Sequence, residues 1–160
     1  MYLGYHYGKM KALADSVKLD ANGTGAFKGT KPLPGGIYFL VSPKKEILFE
    51  LLIDKQQQFS ISADSSRLPE GVVFTGSSDN TLFQSYTRFA GETGQAISRG
   101  SSELSQAKNA RDSAAITARL RNLSERMQKY RDSLSRKNPG SLLAALLQGM
   151  KEPVVPPASQ

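Results

Sequence analysis

The sequence predicts an α+β protein: an antiparallel β-meander, closed as a sandwich or open barrel, followed by a helical hairpin and a short C-terminal helix. Up to Thr75 the chain offers short runs rich in β-branched and aromatic residues, broken by turn chemistry about every ten residues. From Gly76 onward apolar residues recur at helical rather than strand spacing. Within that second part, Ile116, Leu120, Leu123, Met127, Tyr130 and Leu134 alternate separations of four and three, the period of a heptad seam.

The expected strands are Tyr2–Tyr7, Ala12–Leu19, Gly25–Lys28, Gly36–Val41, Ile47–Ile53, Phe59–Ala63 and Val72–Thr75. Between the second and third, Asn22-Gly23 supplies the positive φ angles of a tight reversal, which predicts a hairpin. Pro32-Leu33-Pro34-Gly35 interrupts the sheet before Ile37-Tyr38-Phe39-Leu40-Val41, whose unbroken apolar character marks a central strand covered on both faces. Ser42-Pro43-Lys44-Lys45-Glu46 is a polar turn into Ile47–Ile53, a second hairpin. Phe59 and Ile61 alternate with Ser60 and Ser62, as in a half-exposed strand.

The first helix is expected to start among the N-cap candidates Ser77, Ser78, Asp79 and Asn80 and to bury Leu82, Phe83, Tyr86 and Phe89. It runs to about Ala107, weakened at Gly91, Gly94 and Gly100 by up to about 1 kcal/mol each, with a break easiest near Gly100. Asp112 and Ser113 suit the first turn or N-cap of the second helix, which stops at Asn138-Pro139-Gly140, with Arg131, Arg136 and Lys137 favourably placed near the negative end of its dipole. A third, Leu142–Leu147, ends near Gly149 and is too short to persist unless it docks on the sheet or the hairpin. The expected organisation is therefore a β-domain over residues 1–76, a helical part over 77–150 and a proline-rich linker over 151–160, leading to a further domain.

Composition narrows the chemistry. The 160 residues, 39% hydrophobic, include no cysteine, so thiol catalysis, disulfides and Cys-ligated zinc are excluded for this chain. The single histidine, His6, cannot by itself build a multi-histidine metal site. No Gly-x-Ser-x-Gly elbow occurs, and Gly23-Thr24-Gly25 and Pro34-Gly35-Gly36 lack the strand-to-helix context of a phosphate loop. Asp15, Asp20, Asp54 and Asp64 are isolated and read as loop or edge carboxylates. We expect no catalytic residue, no cofactor and no metal.

The net charge of +7 sits mainly in the second half, where residues 80–160 carry twelve Lys/Arg against six Asp/Glu. Arg111, Arg119, Arg121, Arg126, Lys129, Arg131, Arg136 and Lys137 supply most of it. An acidic protein, anionic lipid or nucleic acid would be drawn to such a surface, yet a solvated helix carries the same residues. Nucleic acid is not expected, because Tyr130, the one aromatic among these cations, belongs to the apolar seam. No apolar run approaches the roughly 20 residues of a membrane-spanning helix.

Two groups of residues remain as candidates. Tyr5, Tyr7 and Tyr38 could form a ligand face, since tyrosine rings stack on sugars, bases and cations, although alternating tyrosines are equally ordinary strand residues. Leu123, Met127 and Tyr130 could form an interface with a second chain, although a hairpin within one chain would also bury them.

The run Ala12-Leu13-Ala14-Asp15-Ser16-Val17, the turn Asp20–Gly25, Phe27-Lys28-Gly29, Pro34-Gly35-Gly36-Ile37-Tyr38, Glu50-Leu51-Leu52-Ile53-Asp54 and Phe74-Thr75-Gly76-Ser77 resemble the N-terminal domain of uncharacterised function in Bacteroidetes thioredoxin-like proteins. Asn80-Thr81-Leu82-Phe83, Asp112-Ser113-Ala114-Ala115-Ile116 and Met150-Lys151-Glu152-Pro153 are similar to the helical extension between that domain and a C-terminal thioredoxin or alkyl-hydroperoxide-reductase-like module. The resemblance implies an exported parent, periplasmic or anchored at the outer membrane through a lipid absent from this chain, that performs thiol:disulfide exchange in a Cys-x-x-Cys module. It also implies an earlier strand before Tyr2. With no cysteine here, no redox residue carries over.

Two functional expectations follow. The first is a non-catalytic accessory domain that positions or dimerises the redox module, or selects its partners. The alternative is a domain that binds a small ligand, glycan or peptide.

Overall fold

A computed structural model describes residues 1–7 and 9–150, the side chain of Tyr7 excepted. The strands β1 (Tyr2–Tyr7), β2 (Met10–Ser16), β3 (Gly36–Val41) and β4 (Ile47–Ile53) form one antiparallel sheet in the order β2-β1-β3-β4. A second, two-stranded sheet pairs β5 (Ser60–Ala63) with β6 (Val72–Thr75). The helices α1 (Ser78–Ser105), α2 (Ala110–Lys137) and α3 (Leu142–Gly149) follow. The α+β architecture is thus the one the sequence predicts. The strand order is not sequential, because β3 pairs with β1 in the register Tyr5↔Tyr38 and Leu3↔Leu40.

The chain divides into two compact units, Met1–Tyr86 and the part from Thr87 on, with the boundary inside α1. The proline-rich stretch 151–160 lies outside the described residues.

In the first unit, β3 explains its own apolar run. Tyr38 and Phe39 are neighbours on opposite faces of the sheet and both are buried. On one face Tyr38 joins Leu3, Phe49, Leu51, Ile53 and Val72 in a core, with each fully buried side chain contributing about 1.5–3 kcal/mol. Phe74 of β6 lies 6.3 Å from both Phe49 and Phe59, ring centre to ring centre, so the smaller sheet closes over the larger. On the other face the Phe39 ring lies flush on Gly4, where any β-carbon would overlap it, and the edge of His6 meets it at 5.1 Å.

Two expected strands need correction. The second strand is Met10–Ser16 rather than Ala12–Leu19, and it forms the first hairpin with β1 through Tyr7↔Met10. Gly25–Lys28 forms no strand, so the hairpin expected across Asn22-Gly23 is absent, although the turn itself is present. Gly23 takes φ +75°, and the Asp20 carboxylate accepts from the amides of Asn22 and Thr24. The hydrogen bonds of that closure stay within residues 20–24, and Phe27 contributes by packing its side chain on the core. The β3–β4 hairpin forms as expected, its turn closed by the Ser42 amide donating to the Glu46 carbonyl at 2.9 Å.

Ser77 precedes α1 and accepts from the Asn80 amide, so the helix starts where capping chemistry places it. The helix then continues unbroken through all three glycines. α2 is capped by Asn109, whose side chain accepts from the Asp112 amide at 2.9 Å, so Asp112 and Ser113 fall in its first turn rather than at the cap. At its other end the Asn138 amide and side chain both donate to the Leu134 carbonyl, and Gly140 takes φ +76°. Ser141 caps α3, which packs on α2 and buries Leu143, Ala144 and Leu147, the last with no exposed surface.

Candidate functional site

Tyr38 and Tyr5 pack against the core rather than on an open surface. Tyr38 is 4% exposed, its ring centre is 5.8 Å from that of Tyr5, and its hydroxyl donates to the Pro34 carbonyl at 2.9 Å. Burial, and secondarily the neighbouring Tyr5, push the Tyr38 hydroxyl above the usual phenol range. Tyr5 is half-buried against the same core, and the Tyr7 side chain lies outside the described residues. Among the described residues no cluster of histidine and carboxylate side chains is arranged to hold a metal ion.

The isolated carboxylates stay isolated. Asp64 closes its own loop, accepting from the hydroxyl and amide of Ser66 and pairing with Arg67 at 2.8 Å. The Ser66 hydroxyl, then Arg67, hold its carboxyl below the ordinary carboxylate range. Nothing there is poised for acid–base work.

The helical unit offers a more extended feature. Three contacts fix an antiparallel register between α1 and α2: Glu103 pairs with Arg119, Gly100 sits against Leu120, and the Phe89 and Tyr130 rings lie 4.5 Å apart. Gly100 is buried, and a β-carbon on it would come within 2.6 Å of Leu120 Cδ2. The glycine that looked like a weak point is therefore a position where α1 leaves no room for a side chain beside Leu120 of α2.

The heptad residues Ile116, Leu120, Leu123, Met127 and Tyr130 are all half-buried, and of that seam only Leu134 is buried. A pair of helices covers one side of a seam and leaves its flanks open, whereas a bundle covers both. Leu123 and Met127 thus keep apolar surface in reach of another helix, while Tyr130 is already engaged by Phe89. No signal in the sequence distinguishes a seam fully closed within the chain from one left half open.

A shallow depression between α2 and α3 is lined by Asp132, Ser135, Arg136 and Gln148. Ser135 is 8% exposed and its hydroxyl has no hydrogen-bond partner among the described residues, so no base activates it as a nucleophile. Sequence reading passed over this serine because it lies next to the heptad position Leu134 and carries no motif.

No helix among the described residues is long and apolar enough to cross a membrane. Comparison with protein-family models, with curated proteins and with solved structures finds no match to this chain.

Proposed function

We propose that this chain is a non-catalytic accessory domain that engages another protein through its helical hairpin. In keeping with the resemblance set out above, the protein it serves is a thioredoxin-like thiol:disulfide oxidoreductase module of an exported, lipid-anchored parent. The domain positions or dimerises that module, or selects its partners. The observation that carries the reading is the half-buried seam at Leu123 and Met127 on a 28-residue helix. Apolar surface repeated at heptad spacing is what a further helix needs for knobs-into-holes packing. The absence of cysteine agrees with a role in placement rather than in thiol chemistry.

The test is size-exclusion chromatography with light scattering on the chain alone and on the chain joined to a Cys-x-x-Cys thioredoxin-like domain. Association that is lost in the Leu123→Asp/Met127→Asp variant, with helical circular dichroism retained, supports the reading. Unchanged association in that variant removes the seam from the interface. If the double aspartate variant fails to fold, Leu123→Ala/Met127→Ala repeats the comparison with a smaller perturbation.

A further inference from the structure

Of the chain's five asparagines, only Asn22 is followed by glycine. A glycine in that place leaves the next backbone nitrogen open to approach, because it has no β-carbon to shield it. The other four asparagines are held or blocked. Asn80 is buried and bound through its side chain to Leu52, and both ends of the Asn109 amide are bound to Asp112. Asn122 lies inside α2, where the following Leu123 amide is committed to the helix. Asn138 precedes Pro139, whose nitrogen carries no hydrogen to lose. Asn22 differs in each respect. It is exposed, its side-chain amide has no hydrogen-bond partner among the described residues, and Gly23 faces open space at φ +75°.

We propose that Asn22 is a site of spontaneous deamidation, converted through a cyclic imide to aspartate and isoaspartate with water as the co-reactant. The Gly23 nitrogen gives up its proton to solvent and bonds to Asn22 Cγ, while the Cγ–Nδ2 bond breaks and Nδ2 leaves as ammonia. Water then opens the imide. Addition at Cγ restores the original backbone and leaves an aspartate side chain, whereas addition at the Asn22 carbonyl carbon routes the chain through Cγ and inserts one extra backbone carbon. Both products place a new carboxylate near that of Asp20.

The turn itself sets the pace of this reaction. Gly23 N–H donates to the Asp20 carbonyl at 3.0 Å, and Asp20 Oδ1 accepts from the Asn22 and Thr24 amides at 2.9 and 2.8 Å. To attack, the Gly23 nitrogen must leave the Asp20 carbonyl and turn toward Asn22 Cγ. The Asp20 carboxylate holds the amides on either side of that nitrogen and so restrains it. Once isoaspartate forms, the extra carbon displaces Thr24 from Asp20, in the segment that brings Phe27 to the core.

The experiment incubates the folded full chain at mildly alkaline pH and samples it over weeks. Trypsin, cutting after Lys18 and Lys28, releases residues 19–28 for mass spectrometry against an unincubated digest. Replacement of the amide NH2 by OH is expected at Asn22, as paired aspartyl and isoaspartyl peptides, ahead of any change at the other four asparagines. Asn22→Ser should remove the signal. Asp20→Ala should speed the conversion by about two- to tenfold, the factor that one net hydrogen bond represents. Asp20→Asn, whose side-chain oxygen can accept the same two amides, should stay near the native rate. A free peptide of residues 19–28, in which no fold supports the turn, should convert at least as fast as Asp20→Ala, and it supplies the comparison if that variant fails to fold. Conversion of the free peptide with none in the folded chain overturns the proposal, as does earlier conversion at another asparagine. Equal rates in the native chain, Asp20→Ala and the free peptide overturn the restraint assigned to Asp20.

Discussion

The side chain of Asn80 is bound to the backbone of Leu52 as a neighbouring strand would be: Leu52 N–H donates to Asn80 Oδ1 at 2.6 Å and Asn80 Nδ2 donates to the Leu52 carbonyl at 2.9 Å. β4 is the last strand of its sheet, and these are the groups such a strand leaves unpaired. Asn80 is 1% exposed and its Nδ2 also donates to Ser77 Oγ, which caps the same helix. One amide thus closes a sheet edge and fastens the start of α1 to it.

Replacing Asn80 with leucine leaves the Leu52 amide and carbonyl buried and unsatisfied, at about 1–3 kcal/mol each. Asn80→Leu is therefore expected to lower the urea midpoint strongly, and Ser77→Ala to cost about 1 kcal/mol through the cap. Equilibrium urea unfolding of the two variants checks the order. A smaller loss in Asn80→Leu than in Ser77→Ala would show that water reaches the β4 edge.

The three glycines of α1 should behave differently. Gly91 and Gly94 face open space, so Gly91→Ala and Gly94→Ala should each stabilise the protein by about 0.5–1 kcal/mol. Gly100→Leu should destabilise by about 1–3 kcal/mol through overpacking against Leu120, and Leu120→Ala should recover part of that loss. Thermal melts of the single and paired variants test the non-additivity.

Gly4 is the corresponding close approach in the sheet. A methyl group there collides with the Phe39 ring, so Gly4→Ala should cost about 1–3 kcal/mol, and Phe39→Leu in the same chain should reduce that penalty. The comparison is read from urea unfolding, and additive losses would place the strain elsewhere.

Tyr38 makes an alkaline prediction. Its folded pKa is raised above the ordinary 10.0, so above pH about 10 the folded state holds a proton that the unfolded state has released. Stability is therefore unaffected by this group below that value and falls as pH rises through it. Tyr38→Phe should lose about 0.5–1.5 kcal/mol at neutral pH with the Pro34 hydrogen bond, yet decline less between neutral and alkaline pH than the unaltered protein. Parallel declines in the two proteins would mean that Tyr38 ionises as freely in the folded chain.

Several elements were legible because their signals are local. The heptad spacing of α2, the stop at Asn138-Pro139-Gly140, the Ser77 cap and the double-sided apolar run of β3 each record a constraint set by a few neighbouring residues. The Asn22-Gly23 turn was legible for the same reason, and it misled for the same reason: a turn predicts a reversal of the chain, not that the flanking segments will pair. Whether Gly25–Lys28 became a strand depended on β1, which takes β2 on one side and β3 on the other.

By itself the sequence determined the α+β class, the positions of most strands and all three helices, and the exclusion of thiol chemistry from this chain, because periodicity, capping and composition act over short distances. Only the tertiary structure decided that Asn80 would close the β4 edge, that Gly100 would be a contact rather than a break, that Tyr38 would be core, and that Leu123 and Met127 would stay half-buried. Each of those depends on a partner distant in the chain or on the adjoining helix. Hydrogen-bond satisfaction and close packing are properties of pairs of surfaces, and one segment's sequence does not specify the surface it will meet.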